Sequence, residues 1–162
     1  MNRKAIIVIG NMCSGKSTLC KKLLKKREEY QYISLDQVRN QLAMSSDLDS
    51  NFMFERACEK ECERQIKNST LLIFESIGTS QFYKRIFRWL KSNKYEIEII
   101  KINVAVRVCI ARFENRQQLD GQVPAMYSLS YKEKIRMNHE KIQGVMSDYN
   151  FNSVVAARHG ID

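Results

Sequence analysis

Residues 10 to 17 read Gly10-Asn11-Met12-Cys13-Ser14-Gly15-Lys16-Ser17 and satisfy the spacing G-x-x-x-x-G-K-[ST]. Each conserved position of that pattern has a chemical reason. Gly10 and Gly15 let the backbone turn tightly enough for successive N–H groups to surround a phosphate, and the helix expected to start there adds its dipole. Lys16 carries a point charge that reaches β- and γ-phosphates, and the Ser17 hydroxyl is a hard oxygen ligand suited to Mg²⁺. Thr18 follows at the position that supports the α-phosphate. Asn11, Met12, Cys13 and Ser14 contribute through their backbone, with the Met12 and Cys13 side chains turned away. The segment is therefore expected to hold a nucleoside triphosphate, ATP, with magnesium.

Four further groups have the type and spacing to act on such a ligand. Asp36 stands at the end of a second apolar run, where a carboxylate can accept a hydroxyl proton as phosphoryl transfer begins. Arg39 lies three residues on, so it projects from the same side of a helical turn and could hold a phosphate on the acceptor. The plainer reading of the pair is a helix N-cap and a surface arginine. Glu75 ends a third apolar run, where an acid either holds the metal's water shell or orients the acceptor; a strand-end charge is the alternative. Ser76, Gly78 and Thr79 follow it as candidate acceptor-pocket residues. Arg112 and Arg116 are one helical turn apart, and two guanidiniums there could close over the transferring phosphate. A solvated helix face is the competing reading, and Arg107 belongs to it.

These residues need a scaffold that presents them at one edge. Ala5 to Ile9 is a continuous aliphatic run, the pattern of a strand buried on both faces of a parallel sheet. Leu19, Leu23 and Leu24 then recur at helical spacing opposite a row of lysines. Tyr32 to Leu35 predicts a second strand ending at Asp36, and Thr70 to Phe74 a third ending at Glu75. Helices are expected around Phe54 to Ile66 and over Ser80 to Leu90. A fourth strand is expected at Ile97 to Ile102, with helices over Val104 to Gln117 and Tyr131 to Gln143. A short strand near Ser153 to Ala157 closes the series. The alternation predicts an α/β, three-layer P-loop fold with a mainly parallel sheet of about five strands, helices on both faces and ligands beyond the strands' carboxyl ends. One domain over residues 1–162 is expected, with a polar lid about 107–124.

Composition narrows the class further. The 162 residues are 44% hydrophobic with one proline and six glycines, which suits a single core without linkers. The longest apolar run falls far short of the ~20 residues of a membrane span, and no signal-peptide pattern precedes it, so no membrane partner and a cytoplasmic location are expected. The five cysteines lack metal or disulfide spacing and read as buried small hydrophobes. A formal charge of +9 favours phosphate-bearing partners, whether nucleotides or polynucleotides, although a solvated basic surface alone would carry the same charge.

Gly10 to Thr18, Asp36-x-x-Arg39, Glu75 and the Arg112/Arg116 helix followed by Val123-Pro124 together resemble the kinase domain of phage-type 5′-polynucleotide kinases. The resemblance covers about residues 3 to 140. More broadly the chain is similar to small P-loop kinases of the AAA type, zeta-type toxins among them. The resemblance implies that Lys16 and Ser17 serve ATP and magnesium, that Asp36 is general base for a 5′-hydroxyl and that Arg39 contacts the acceptor's 3′-phosphate. It further implies that Arg116 supports the transition state, with Arg112 as a second lid arginine. Two departures stand out: Glu75-Ser76-Ile77 replaces the family's Asp-Thr-Asn, and residue 162 is reached without the phosphatase domain of some members. Expected function is therefore transfer of the γ-phosphate to a polynucleotide 5′-hydroxyl of DNA or RNA. The alternative is a nucleoside, nucleotide-sugar or antibiotic acceptor on the same scaffold. A nucleotide switch is the reading from another class, since Asn93-Lys94-Tyr95-Glu96 approaches the guanine-reading Asn-Lys-x-Asp, but it precedes the fourth strand instead of following it.

Overall fold

The computed structural model describes residues 2–43, 51–120 and 125–145. Strand β1 (Lys4–Gly10) lies inside a parallel sheet, flanked by β3 (Leu71–Ser76) and β4 (Glu96–Ile102), with β2 (Gln31–Ser34) beyond β3. The order is β2-β3-β1-β4. The helices are α1 (Lys16–Lys26), α2 (Leu35–Ala43), α3 (Asn51–Asn68), α4 (Gln81–Ser92), α5 (Val106–Asp120) and α6 (Ala125–Val145). This is the three-layer α/β architecture of P-loop proteins. The four strands among the described residues are all parallel. The fifth strand expected near Ser153 to Ala157 lies outside the described residues.

The continuous apolar run of β1 is explained by two cores, one on each face. Ala5, Ile7 and Ile9 point to one side and pack with Val38 of α2, Cys58, Cys62 and Ile66 of α3, and Phe82, Ile86 and Leu90 of α4. Ile6 and Val8 point to the other, with Cys20 of α1, Ile73, Ile100 and Ile102. Strand alternation thus has no polar side to spare. Each fully buried Ile or Val is worth ~1.5–3 kcal/mol relative to exposure, so β1 is a stiff base for whatever follows Gly10. A third cluster, Cys109 and Phe113 of α5 with Ile135 of α6, takes partly buried Met12 and Cys13 against it.

Two sequence-based boundaries are corrected. The second strand stops at Ser34, and α2 begins at once with Leu35, so Asp36 is in the first turn of a helix and not at a strand tip. Ser34 Oγ accepts from the Gln37 N–H (3.1 Å), which gives the capping role to Ser34. The last helix starts at Ala125, six residues earlier than Tyr131. All five cysteines are free, and four are fully buried. Burial pushes the thiols of Cys20 and Cys62 up to about 12, as befits small hydrophobes. Among the described residues no helix is long and apolar enough to cross a membrane, and no cluster of three or more His, Cys, Asp or Glu could hold a metal ion.

Candidate active site

The chain leaves β1 through a loop with unusual backbone. Cys13 (φ 56°) and Gly15 (φ 94°) both take left-handed conformations, a conformation strained for the cysteine and ordinary for the glycine. Gly10 is tight for another reason: a Cβ there would lie 2.7 Å from Ser14 Oγ and 3.2 Å from Ile102. The Ser14 hydroxyl is buried and has no partner, a donor held inside the loop. Asn11 anchors the loop from outside, since its Nδ2 donates to the carbonyl of Ile135 on α6 (2.7 Å) and its Oδ1 accepts from the Met12 N–H (2.7 Å). The cradle is preformed for an anion at the start of α1.

Lys16 is 9% exposed, and its Nζ donates to the Asn11 carbonyl (2.8 Å). Burial pushes its ammonium pKa down, while Glu75 and Asp36 nearby oppose the shift. Ser17 Oγ donates to Glu75 Oε1 (2.9 Å) across the gap between α1 and β3. Glu75 Oε2 accepts from the Tyr32 hydroxyl. Burial, and then the bond to Glu75, push the Tyr32 phenol up, so it stays protonated as a donor. Ser17 and Glu75 are hard oxygen donors of the kind Mg²⁺ takes alongside phosphate oxygens, so the residues present fit that ion.

A cavity of about 430 Å³ opens beside the loop. It is lined by Lys16, Ser17, Thr18, Asp36, Arg39, Glu75 and Arg116, with Ser76 and Thr79 along the β3–α4 turn. Residues far apart in sequence therefore face one cleft at the carboxyl ends of β1, β2 and β3. Gly78 serves the turn from behind: its φ is 87°, and a Cβ would stand 2.5 Å from Ile9 Cγ2.

Of two pairs that the sequence suggested as units, the structure keeps one and separates the other. Arg39 Nη1 meets Asp36 Oδ1 (2.6 Å), as the helical spacing predicts. Its Nε and Nη2 go to Glu55 of α3 (2.9 and 2.7 Å), so the guanidinium is held from two sides. Arg116 lines the cleft, whereas Arg112 Nη1 donates to the Cys13 carbonyl (3.2 Å) and braces the loop. Arg107 is exposed, in keeping with a solvated face. Asn93 to Glu96 lies at the opposite end of the sheet; Tyr95 is buried and Glu96 pairs with Lys4 (3.0 Å), which leaves no guanine reader there.

Tyr32, Glu55 and Asn138, which also lines the cleft, were not among the sequence-based candidates. Tyr32 had one signal, its alternation with core Ile33, which puts it on the face of β2 that carries Ser34. Glu55 had none, because its partner is supplied by packing of α3 on α2.

The AAA domain family model matches residues 6–136, and the chain belongs to that family. Solved structures agree in fold. A chain of the Pnkp1/Rnl/Hen1 RNA repair complex is 20% identical with a TM-score of 0.73, over 93% of this chain and 47% of its own length. A chain of the PezAT chromosomal toxin-antitoxin system of Streptococcus pneumoniae is 16% identical (TM-score 0.59), over 94% of this chain and 67% of that one. Shikimate kinase from Acinetobacter baumannii, in complex with shikimate, is 12% identical (TM-score 0.62), over 98% and 86%. The chain thus spans just under half the length of the RNA repair component. Among curated proteins none matches it.

Proposed function

We propose that the protein is an ATP- and Mg²⁺-dependent phosphotransferase that moves the γ-phosphate onto a polynucleotide 5′-hydroxyl. One observation carries the reading: the loop lysine Lys16, the Ser17–Glu75 pair, the Asp36–Arg39 pair and Arg116 line a single cleft. Lys16 leaves its own loop carbonyl for the β- and γ-phosphate oxygens, and loop N–H groups hold the rest of the triphosphate. Ser17 and Glu75 would hold the magnesium, which when bound would supply positive charge against that developing on the transferring phosphate. Asp36 accepts the proton of the acceptor hydroxyl as its oxygen bonds to the γ-phosphorus. The bond from that phosphorus to the ADP oxygen breaks, and Arg116 offsets the charge on the transferring group. The charge of +9 and the likeness to an RNA repair component support a nucleic-acid acceptor. We take residues 1–162 as one kinase domain with its lid about 107–124, of which 121–124 lie outside the described residues, working in a reducing cytoplasm that suits five free cysteines.

A small-molecule acceptor is the second reading, favoured by the two ion pairs of Arg39. Arg39, the group available for an acceptor phosphate, is already held by Glu55 and Asp36. Label transfer from γ-labelled ATP to 5′-hydroxyl DNA and RNA oligonucleotides, run beside nucleosides, nucleoside monophosphates and aminoglycosides, tests both. Labelled oligonucleotide is the expected result, and label on a small molecule alone selects the second reading.

A further inference from the structure

The hydrogen bonds around Glu75 divide its carboxylate between two partners: Oε1 faces Ser17 on the phosphate loop, and Oε2 takes the Tyr32 hydroxyl. Sheet register explains how they meet. Glu75 pairs with Ser34, and Tyr32 pairs with Ile73, so the phenol reaches two residues along the same face of the sheet. That face is the one covered by α1, whose first turn holds Ser17. The Tyr32 ring is packed against the cluster of Cys20, Tyr30 and Ile73, so the position of its hydroxyl is fixed by the core and not by solvent. A glutamate, free to turn about three side-chain bonds, must be ordered before it can serve a metal, and ordering costs rotamer entropy. Tyr32 removes that freedom before any ligand arrives.

We infer that Tyr32 is a positioning residue for metal binding: it clamps Glu75 so that the Ser17–Glu75 pair is preformed for the divalent cation of a bound nucleotide. The inference rests on the proposed ATP- and metal-dependent reading of the cleft. It also explains how a residue one methylene longer than aspartate is used at this strand end. The longer arm needs a second anchor, and β2 supplies it.

Mn²⁺ binding with the protein in excess over ATP, so that little unbound nucleotide competes for the ion, read by electron paramagnetic resonance of the free ion, is the test. Tyr32→Phe removes only the hydroxyl and should weaken Mn²⁺ binding by roughly tenfold or more, the usual scale for partners that orient metal ligands. Affinity for ATP in EDTA should not change. In a Glu75→Ala background the same tyrosine change should have no further effect, whereas a merely structural tyrosine would cost the same factor in both. Tyr32→Met, which fills the ring's place without a hydroxyl, gives the same comparison if the phenylalanine variant does not fold. Unchanged Mn²⁺ affinity in Tyr32→Phe, or equal losses in the two backgrounds, overturns the inference. Mn²⁺ held no more tightly by protein and ATP together than by the same ATP alone overturns the reading of the cleft instead.

Discussion

Lys16 and Asp36 approach the cleft with opposite histories, and their substitutions separate two roles. Lys16 is buried and bonded to its own loop; burial pushes its pKa down, and the nearby carboxylates of Glu75 and Asp36 oppose that shift. Lys16→Ala removes the cation proposed to meet the β- and γ-phosphates and should lower transfer to every acceptor by at least ~10²-fold. Asp36 is exposed and touches Arg39, a contact that an amide oxygen can keep. Asp36→Asn should therefore leave ATP affinity unchanged while slowing transfer by roughly 10²-fold or more, the scale of general-base catalysis. Full activity in that variant, measured with saturating acceptor, would remove Asp36 from the base role. Lys16 was legible because a loop motif places it, and the Asp36–Arg39 contact because an i to i+3 spacing does, although Asp36 sits in a helix turn and not at the strand tip expected. Glu55 and Tyr32 obey no local rule. The bonds they make join residues 16 and 43 positions apart, and only folding brings those together.

At the scale of elements, the sheet could be read from β1 and β3 because a strand buried on both faces must be largely apolar, and from β4 because isoleucines recur at 97, 99, 100 and 102 between its charged residues. The β2–α2 boundary could not, since Ser34-Leu35-Asp36 suits a strand end and a capped helix start equally, and Ser34 Oγ decides the matter through a bond three residues ahead. The expected start of α6 was too late: Ala125, Met126 and Leu129 already stand at helical spacing directly after Pro124. The β3–α4 turn makes a sharper test of how elements hold the cleft. Gly78 has a positive φ, and its missing side chain is where the Ile9 side chain sits. Gly78→Ala would force both a left-handed alanine and a displaced core isoleucine, so it should destabilise by ~1–3 kcal/mol, visible as a lower denaturant midpoint. The same turn carries Thr79 and the capping Ser80, whose Oγ accepts from the Tyr83 N–H at 3.0 Å. A rise in KM for the acceptor, with ATP binding little changed, is expected alongside the stability loss. An unchanged midpoint would show that Ile9 repacks without strain.

Across the whole molecule, charge is unevenly used. Carboxylates on α3 are tied up locally, Glu61 to Arg64, Glu63 to Lys67 and Glu59 to Arg85, and such exposed pairs add little stability but cancel field. The lysines of α1, Lys21, Lys22, Lys25 and Lys26, stand exposed on the helix whose first turn forms the phosphate loop. A surplus of +9 is then available to a polyanion approaching the cleft, and to a small neutral acceptor it is of no use. Salt dependence distinguishes the two. Neutralising about three phosphates of a single strand would weaken binding roughly 20-fold between 50 and 200 mM salt, because the slope is near −0.7 per phosphate. KM for a 5′-hydroxyl oligonucleotide should rise by about that factor over this range, while KM for ATP, held mainly by short contacts inside the loop, changes far less. A flat oligonucleotide KM would mean that the basic surface does not engage the acceptor, and would move the assignment to a small hydroxyl compound held by the residues around Glu75 and Thr79.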